Sequence, residues 1–333
     1  QPNTIPPLTT PDAFFSRVRE AQAHSFCSFA INSGVTPDTS FETMWAAGAM
    51  AFGETFFAPS SYGEALGAPE LSRALGRIQA LGGLATIHAE GVSPGEDHDL
   101  ATHDALRSPE RERAAVIAVQ ACNMSGCRIH FCHMSTASAI DAALGTVEVT
   151  PHHLLLSREK TGVVDTRFKV NPPVRSEKER KALFARWDRI DMIASDHAPH
   201  TRAEKSLPFP DAPSGVPGVE TMVPLLMAEV LKRRITLPDL IRKTATAPAT
   251  LIGIPPSGFS VGDRADFALY PHSAVIVEPE LLHSRCGWTP FEGYPAVFPL
   301  TVIRGGFVVY DQGEFCREEP VWFAGRGYSP RSV

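Results

Sequence analysis

Residues 82–90 read GGLATIHAE, and this stretch decides how the rest of the chain is read. A glycine pair opens it, Leu84 to Ile87 is a short run dominated by apolar residues, and His88 and Glu90 close it. A short apolar run bounded by turn signals fits a strand buried on both faces. The design recurs in FCSFAIN (26–32), AAGAMAFGETF (46–56), GCRIHFCHMS (126–135), TVEVTPHH (146–153) and IDMIASDHAPH (190–200). Between these runs lie segments of helical period at 14–23, 110–124, 176–187, 219–231 and 237–245. The second carries Ala114, Ala115, Ile117, Ala118 and Ala121 on one face, and the third opens with Ser176-x-x-Glu179, a capping pattern. Strands alternating with helices imply right-handed β-α-β units and a parallel sheet. Six such strands and a stub at QPNT fit a (β/α)8 barrel better than an open doubly wound sheet, and no G-x-G-x-x-G follows any of them.

The rhythm changes near residue 255. PPSGFSVGDRADFALY (255–270) and FPLTVIRGGFVVYDQGEF (298–315) are β-rich, with glycine turns and no helical period. The sequence therefore predicts a barrel over 1–254 and a small flanking β-rich domain over 255–333. The length of 333 residues agrees, since a barrel takes about 250 and leaves room for a smaller unit.

Composition narrows the function. Apolar residues are 43% and charged residues 20%, which excludes a disordered chain. Lys plus Arg number 31 against 37 Asp plus Glu, a net charge of −6, so there is no basic surplus for a nucleic-acid partner. No apolar run approaches the roughly 18 residues of a membrane span. Cys27, Cys122, Cys127, Cys132, Cys286 and Cys316 form no C-x-x-C pair, which reads as reduced thiols in a cytoplasmic protein. The chain opens on Gln1 with no secretory leader pattern.

In a β/α barrel the chemistry sits where strands end and βα loops begin. Four strands end in metal-binding residue types: His88; His133 with Cys132 before it; Glu148, His152 and His153; Asp196, His197 and His200. Any one of these histidines alone reads as a hydrogen-bonded core residue. Four successive strand ends with one pattern point to a metal, because charge at the end of an apolar strand is costly unless paired or coordinated. Imidazoles and carboxylates without several thiolates favour Zn²⁺ or another first-row metal in an open catalytic site.

The motifs PNTIPP (2–7), IHAE (87–90), FCHMS (131–135), EVTPHHL (148–154), FKVNPPVR (168–175), ASDHAPH (194–200), GVPGVETMVPLL (215–226) and WTPFEG (288–293) resemble those of the dihydroorotases, members of the cyclic amidohydrolases. The resemblance runs from Gln1 to about residue 312. It implies a metal-dependent β/α barrel with a flanking β-domain, and the reversible interconversion of carbamoyl-aspartate and dihydroorotate in pyrimidine synthesis. It implies His88 and His133 as ligands of one zinc, and Asp196 as ligand of a second and as general acid/base. Asn3, Asn171 and His200 resemble the family's substrate contacts, Pro217-Gly218 its ring-binding backbone. Arg175 reads as a grip on the substrate carboxylate or, equally, as a helix-flanking surface residue. Cys132 and Glu148 read first as packing and as supporting hydrogen bonds around the ligands, and the resemblance adds an accessory metal of some members as the lesser alternative.

Two departures bear on the mechanism. Many members bridge their metals with a carboxylated lysine; the matching strand, AAGAMAFGETF, holds none, with Ala49 near the expected position and Glu54 the acidic residue at its end. Glu54 is the candidate bridging carboxylate, a loop carboxylate or cap the alternative. The family's first-strand H-x-H-x-R is also absent, and QPNT corresponds to the end of the second strand. The chain accordingly reads as N-terminally truncated relative to the family: part of a longer product, a sequence lacking its upstream segment, or a diverged inactive subunit completed by a partner. The completeness of the remaining motifs favours an active-type enzyme. With residues 1–333 alone, one or two zincs per complete site fall to about one, and turnover is expected to be negligible. The competing functions are another cyclic amidase, such as an allantoinase or hydantoinase, and an inactive subunit that binds aspartate transcarbamoylase. A homo-oligomer is a further expected assembly.

Overall fold

The computed structural model describes residues 1–57, 65–162, 164–255 and 257–330. Five parallel strands form the central sheet in the order β1-β2-β3-β4-β5: β1 (Phe52–Phe56), β2 (Leu84–His88), β3 (Arg128–Phe131), β4 (Thr146–Val149) and β5 (Met192–Ile193). Chain order equals spatial order, as expected when each strand returns through a helical crossover. Helix α1 (Pro11–His24) and helix α2 (Phe41–Ala46) precede β1. Helix α3 (Ala68–Ala80) leads to β2, helix α4 (Leu100–Leu106) and helix α5 (Pro109–Cys122) to β3, and helix α6 (Ala137–Ala142) to β4.

Local sequence explains these elements. In α1 the Thr10 side chain accepts from the Ala13 N–H and Pro11 occupies the first turn, where its missing N–H has no intrahelical partner to lose. Helix α3 buries Leu71, Ala74, Leu75 and Ile78, a spacing that places one stripe against the sheet. The strands supply Phe52, Ile87, Phe131 and Val149 to the core, all fully buried.

The arc continues past both named edges. Ile31 O accepts from Met50 N at 2.8 Å, Ser33 N donates to Ala51 O at 3.0 Å, and Gly53 N donates to Ser33 O at 2.8 Å. On the other side Ala198 N donates to Val216 O at 3.1 Å. The stretch 26–32 is thus a barrel strand only in its second half. Its Phe29 pairs instead with the C-terminal tail, donating to Val321 O and accepting from Phe323 N.

After residue 255 the chain builds a four-stranded antiparallel sheet, β11-β10-β9-β6, from β6 (Phe267–Leu269), β9 (Thr301–Arg304), β10 (Phe307–Asp311) and β11 (Glu314–Phe315). A two-stranded ribbon joins β7 (Val275–Ile276) to β8 (Pro295–Ala296). Val277, Trp288, Phe291 and Ala296 share the barrel's apolar core, and Val297 N donates to Pro224 O at 2.9 Å. Among the described residues no helix is long and apolar enough to cross a membrane.

Candidate metal centre

Glu54 reaches the mouth of the barrel because β1 is irregular. Phe52 pairs with Ala85 and Thr55 with Ile87, so β1 advances three residues while β2 advances two. Such a bulge re-aims a side chain. Gly53 makes it feasible: its φ is +130°, and a Cβ there would lie 2.1 Å from the Thr86 carbonyl oxygen.

His88 closes β2, and His133 follows β3. Period-two alternation puts Cys132, rather than His133, on the same side as His130. His133 adopts a left-handed backbone, φ +35°, which turns its ring toward Glu54. Glu54 Oε1 lies 3.0 Å from His88 Nδ1 and 2.5 Å from His133 Nε2, and the two nitrogens are 3.2 Å apart. All three side chains are buried. Asn3 donates to the other Glu54 oxygen at 3.2 Å.

The electrostatics follow from this contact. Burial alone would lower the His133 pKa, but the Glu54 charge and hydrogen bond outweigh it and push it up to about 10. In His88 burial is likewise outweighed by Glu54 and Glu90, giving about 8. Burial would raise Glu54, yet the two imidazoles hold it far below the usual carboxylate range. Two protonated rings around one carboxylate are what a divalent cation would replace: three N and O donor atoms face one point, with no lysine or arginine among them. Glu90 holds the far ring nitrogen of His88 at 3.2 Å, leaving Nδ1 for a metal. The His133 Nδ1 is buried without a partner among the described residues.

Asp196 follows β5 in a left-handed conformation as well, φ +44°. Burial pushes its carboxyl up, and Glu54 and Glu148 add to this while His133 and His88 oppose it. It thus feels every member of the cluster. A second group, His130, Cys132 and Glu148, lies beneath: His130 Nε2 is 3.0 Å from Glu148 Oε2, and all three ligand atoms lie within 4.8 Å of one another. Burial, reinforced by the nearby carboxylates, keeps the Cys132 thiol well above its usual range.

The remaining sequence-predicted residues lie on the loops that follow the later strands and on the segment at 169–175, and the cleft that some of them line does not include Glu54, His88, His133 or Asp196. Asn171 presents a buried Oδ1 with no partner among the described residues. His200 is half-buried and donates from Nε2 to Ser214 O at 3.2 Å. Pro217 and Gly218 are buried and, with His197 and His200, line a cleft of about 460 Å³. Arg175 is neither a surface residue nor open to a ligand. It is 2% exposed, donates to Ser135 Oγ at 2.9 Å, to Asp104 Oδ1 at 2.6 Å and to Arg107 O, and lies 3.6 Å from Glu112. Sequence reasoning left Glu90 and His130 without a role. Their signal was the two-residue spacing from His88 and from Cys132, which keeps such residues on one side of a strand.

No family model matches the chain. It is 39% identical to the dihydroorotase of Halobacterium salinarum over 93% of this chain and 77% of the relative. It is 38% identical to that of Methanosarcina acetivorans over 93% of this chain and 73% of the relative. The chain belongs to the dihydroorotase family. Among solved structures it is similar to the L-hydantoinase of Arthrobacter aurescens, with a TM-score of 0.88, 26% identity, and coverage of 98% of this chain and 80% of that one. A D-hydantoinase from Thermus sp. aligns with a TM-score of 0.85 at 20% identity, over 95% and 77% of the two chains. The dihydroorotase family's cyclic-amidohydrolase β/α barrel is therefore the fold of this chain, and the family is metal-dependent.

Proposed function

We propose that this chain acts as a dihydroorotase, a cytoplasmic zinc amidohydrolase that interconverts N-carbamoyl-L-aspartate and dihydroorotate. The observation that carries the reading is the convergence of Glu54, His88 and His133 from three successive strands, with Asp196 in electrostatic contact with all of them. Glu54, His88, His133 and Asp196 would hold the metal. Bound zinc polarises the ring carbonyl and acidifies water.

The chain's own residues supply the rest. As water adds to the ring carbonyl carbon, the Asp196 carboxylate accepts its proton and passes it to the ring nitrogen when the C–N bond breaks. Asn3 steadies Glu54 and faces the substrate, while Asn171, His200 and the Pro217-Gly218 backbone hold the ring and its carboxylate. Arg175, in this reading, braces the loop after β3 through Ser135 rather than gripping substrate. The six free thiols fit a reducing compartment, and the chain passes near 254/255 from the barrel to a β-rich stretch, part of which, at Val277, Trp288, Phe291 and Ala296, packs into the barrel's core.

The test is turnover by the zinc-loaded protein of dihydroorotate, allantoin and hydantoin side by side. Preference for dihydroorotate supports the reading; preference for hydantoin or allantoin moves the chain to another cyclic amidase. Matching relatives at 36–39% identity named dihydroorotase favour the first outcome.

A further inference from the structure

Beyond the metal centre, the chain buries a lysine where the catalytic reading gives it no task. Lys205 ends a single helical turn, Arg202–Lys205, and is 1% exposed. Its Nζ donates to three backbone carbonyls: Pro213 at 2.8 Å, Lys169 at 3.1 Å and Gly215 at 3.1 Å. Among the described residues no carboxylate forms a salt bridge with it. Each anchor sits beside a proposed substrate contact. Lys169 is two residues before Asn171, and Gly215 two before Pro217. The Thr201 cap of the lysine's own turn adjoins His200. Gly215 itself passes so close to Ala198 that a Cβ would lie 2.5 Å from the Ala198 carbonyl oxygen. The Trp288 ring, 6.0 Å from the ammonium, donates its N–H to His200 O at 2.8 Å.

We propose that Lys205 is a positioning residue: its ammonium, gripped by three carbonyls, fixes Asn171, His200 and Pro217-Gly218 relative to one another. This rests on the reading of those residues as substrate contacts. The geometry is that of a cradle for a small monovalent cation, so removing the side chain leaves a space lined by carbonyl oxygens. Lys205 acts through the loop it holds and touches no substrate.

The experiment compares the zinc-loaded parent with Lys205→Ala and Lys205→Met, each with and without methylammonium. Hydrogen exchange is followed over residues 206–218, alongside zinc content and dihydroorotate kinetics. Losing hydrogen bonds from a charged group should raise KM about 10–100-fold with kcat within about threefold, because ground-state and transition-state binding fall together. Exchange over 206–218 should quicken while zinc content holds. Methylammonium should restore KM and exchange in Lys205→Ala but not in Lys205→Met, whose side chain fills the cradle. Unchanged exchange in both variants overturns the proposal, as does faster exchange that methylammonium leaves unrepaired in Lys205→Ala. Loss of zinc or faster exchange throughout the barrel also overturns it, since Lys205 would then be a general fold residue. If the parent does not turn over dihydroorotate, the outcome expected of residues 1–333 by themselves, the exchange over 206–218 and its methylammonium rescue decide the role of Lys205 without the kinetics.

Discussion

Two of the four proposed ligands, His133 and Asp196, sit in the left-handed region at φ +35° and +44°. For a residue with a Cβ this costs about 1–3 kcal/mol and persists only where the surroundings enforce it. The return is aim, shown by His133, whose ring leaves the end of β3 directed at Glu54. Asp196→Asn keeps the volume and removes the proton acceptor; in a complete version of the enzyme, one that turns over dihydroorotate, turnover should fall at least about 10²–10⁴-fold with the fold intact, and activity within threefold of the parent would remove Asp196 from the mechanism. The metal-free protein carries a second consequence. His88 and His133 have folded-state pKa values above those of the unfolded chain, about 8 and about 10. Their contribution to stability is therefore complete below the unfolded imidazole value and is lost as pH rises through these folded values. The chelated protein should melt at progressively lower temperature from near-neutral pH to about pH 10, and a flat profile would argue against the ion triplet. At this scale the sequence made His88, His133 and Asp196 legible because strand ends repeat one residue chemistry. The aim of Glu54 was not legible, because it depends on a bulge. Arg175 was ambiguous for a physical reason: a guanidinium that clamps a ligand and one that pairs with Asp104 look identical until its neighbours are known.

At the scale of elements, the loop that follows β3 depends on one carboxylate of α5. Glu112 is buried and accepts from Ser135 N at 2.7 Å, Ser135 Oγ at 2.9 Å and Thr136 Oγ1 at 2.6 Å, beside the Arg175 guanidinium. Glu112→Ala would leave a buried arginine short of a partner and three donors without an acceptor. A loss of about 3–5 kcal/mol is expected, read from the urea midpoint. Glu112→Gln should lose less, because the amide oxygen still accepts. Gly53→Ala tests the other irregular element. The added methyl meets the Thr86 carbonyl at 2.1 Å, so β1 must shift and Glu54 with it, weakening zinc binding along with stability. The strands were readable wherever an apolar run was complete. The run 26–32 misled in its first half because Phe29 finds a partner almost 300 residues away, at Val321 and Phe323, which no local pattern announces.

For the molecule as a whole, the ligand inventory sets the metal count. The cluster's imidazoles come from β2 and from the turn after β3, and no H-x-H lies anywhere in residues 1–333. These residues should hold about one zinc tightly, since carboxylate and water alone suit zinc poorly. Metal analysis after dialysis checks this. Glu54→Gln should weaken that zinc and Cys132→Ser should leave it, and two tight zincs retained in Cys132→Ser would show a ligand set other than the one described.

The bond from Trp288 to the His200 carbonyl bears on how such a chain is made. Protein synthesis delivers the N-terminal part first, at about 5–20 residues per second. The strands that carry Glu54, His88, His133 and Asp196 emerge before the indole that ties down the loop beside them. Phe29 waits longer still, until residues 321–323 leave the ribosome. A nascent chain can therefore gather its proposed metal ligands while the loop after Asp196 is still loose, and the Trp288 indole fastens that loop only later.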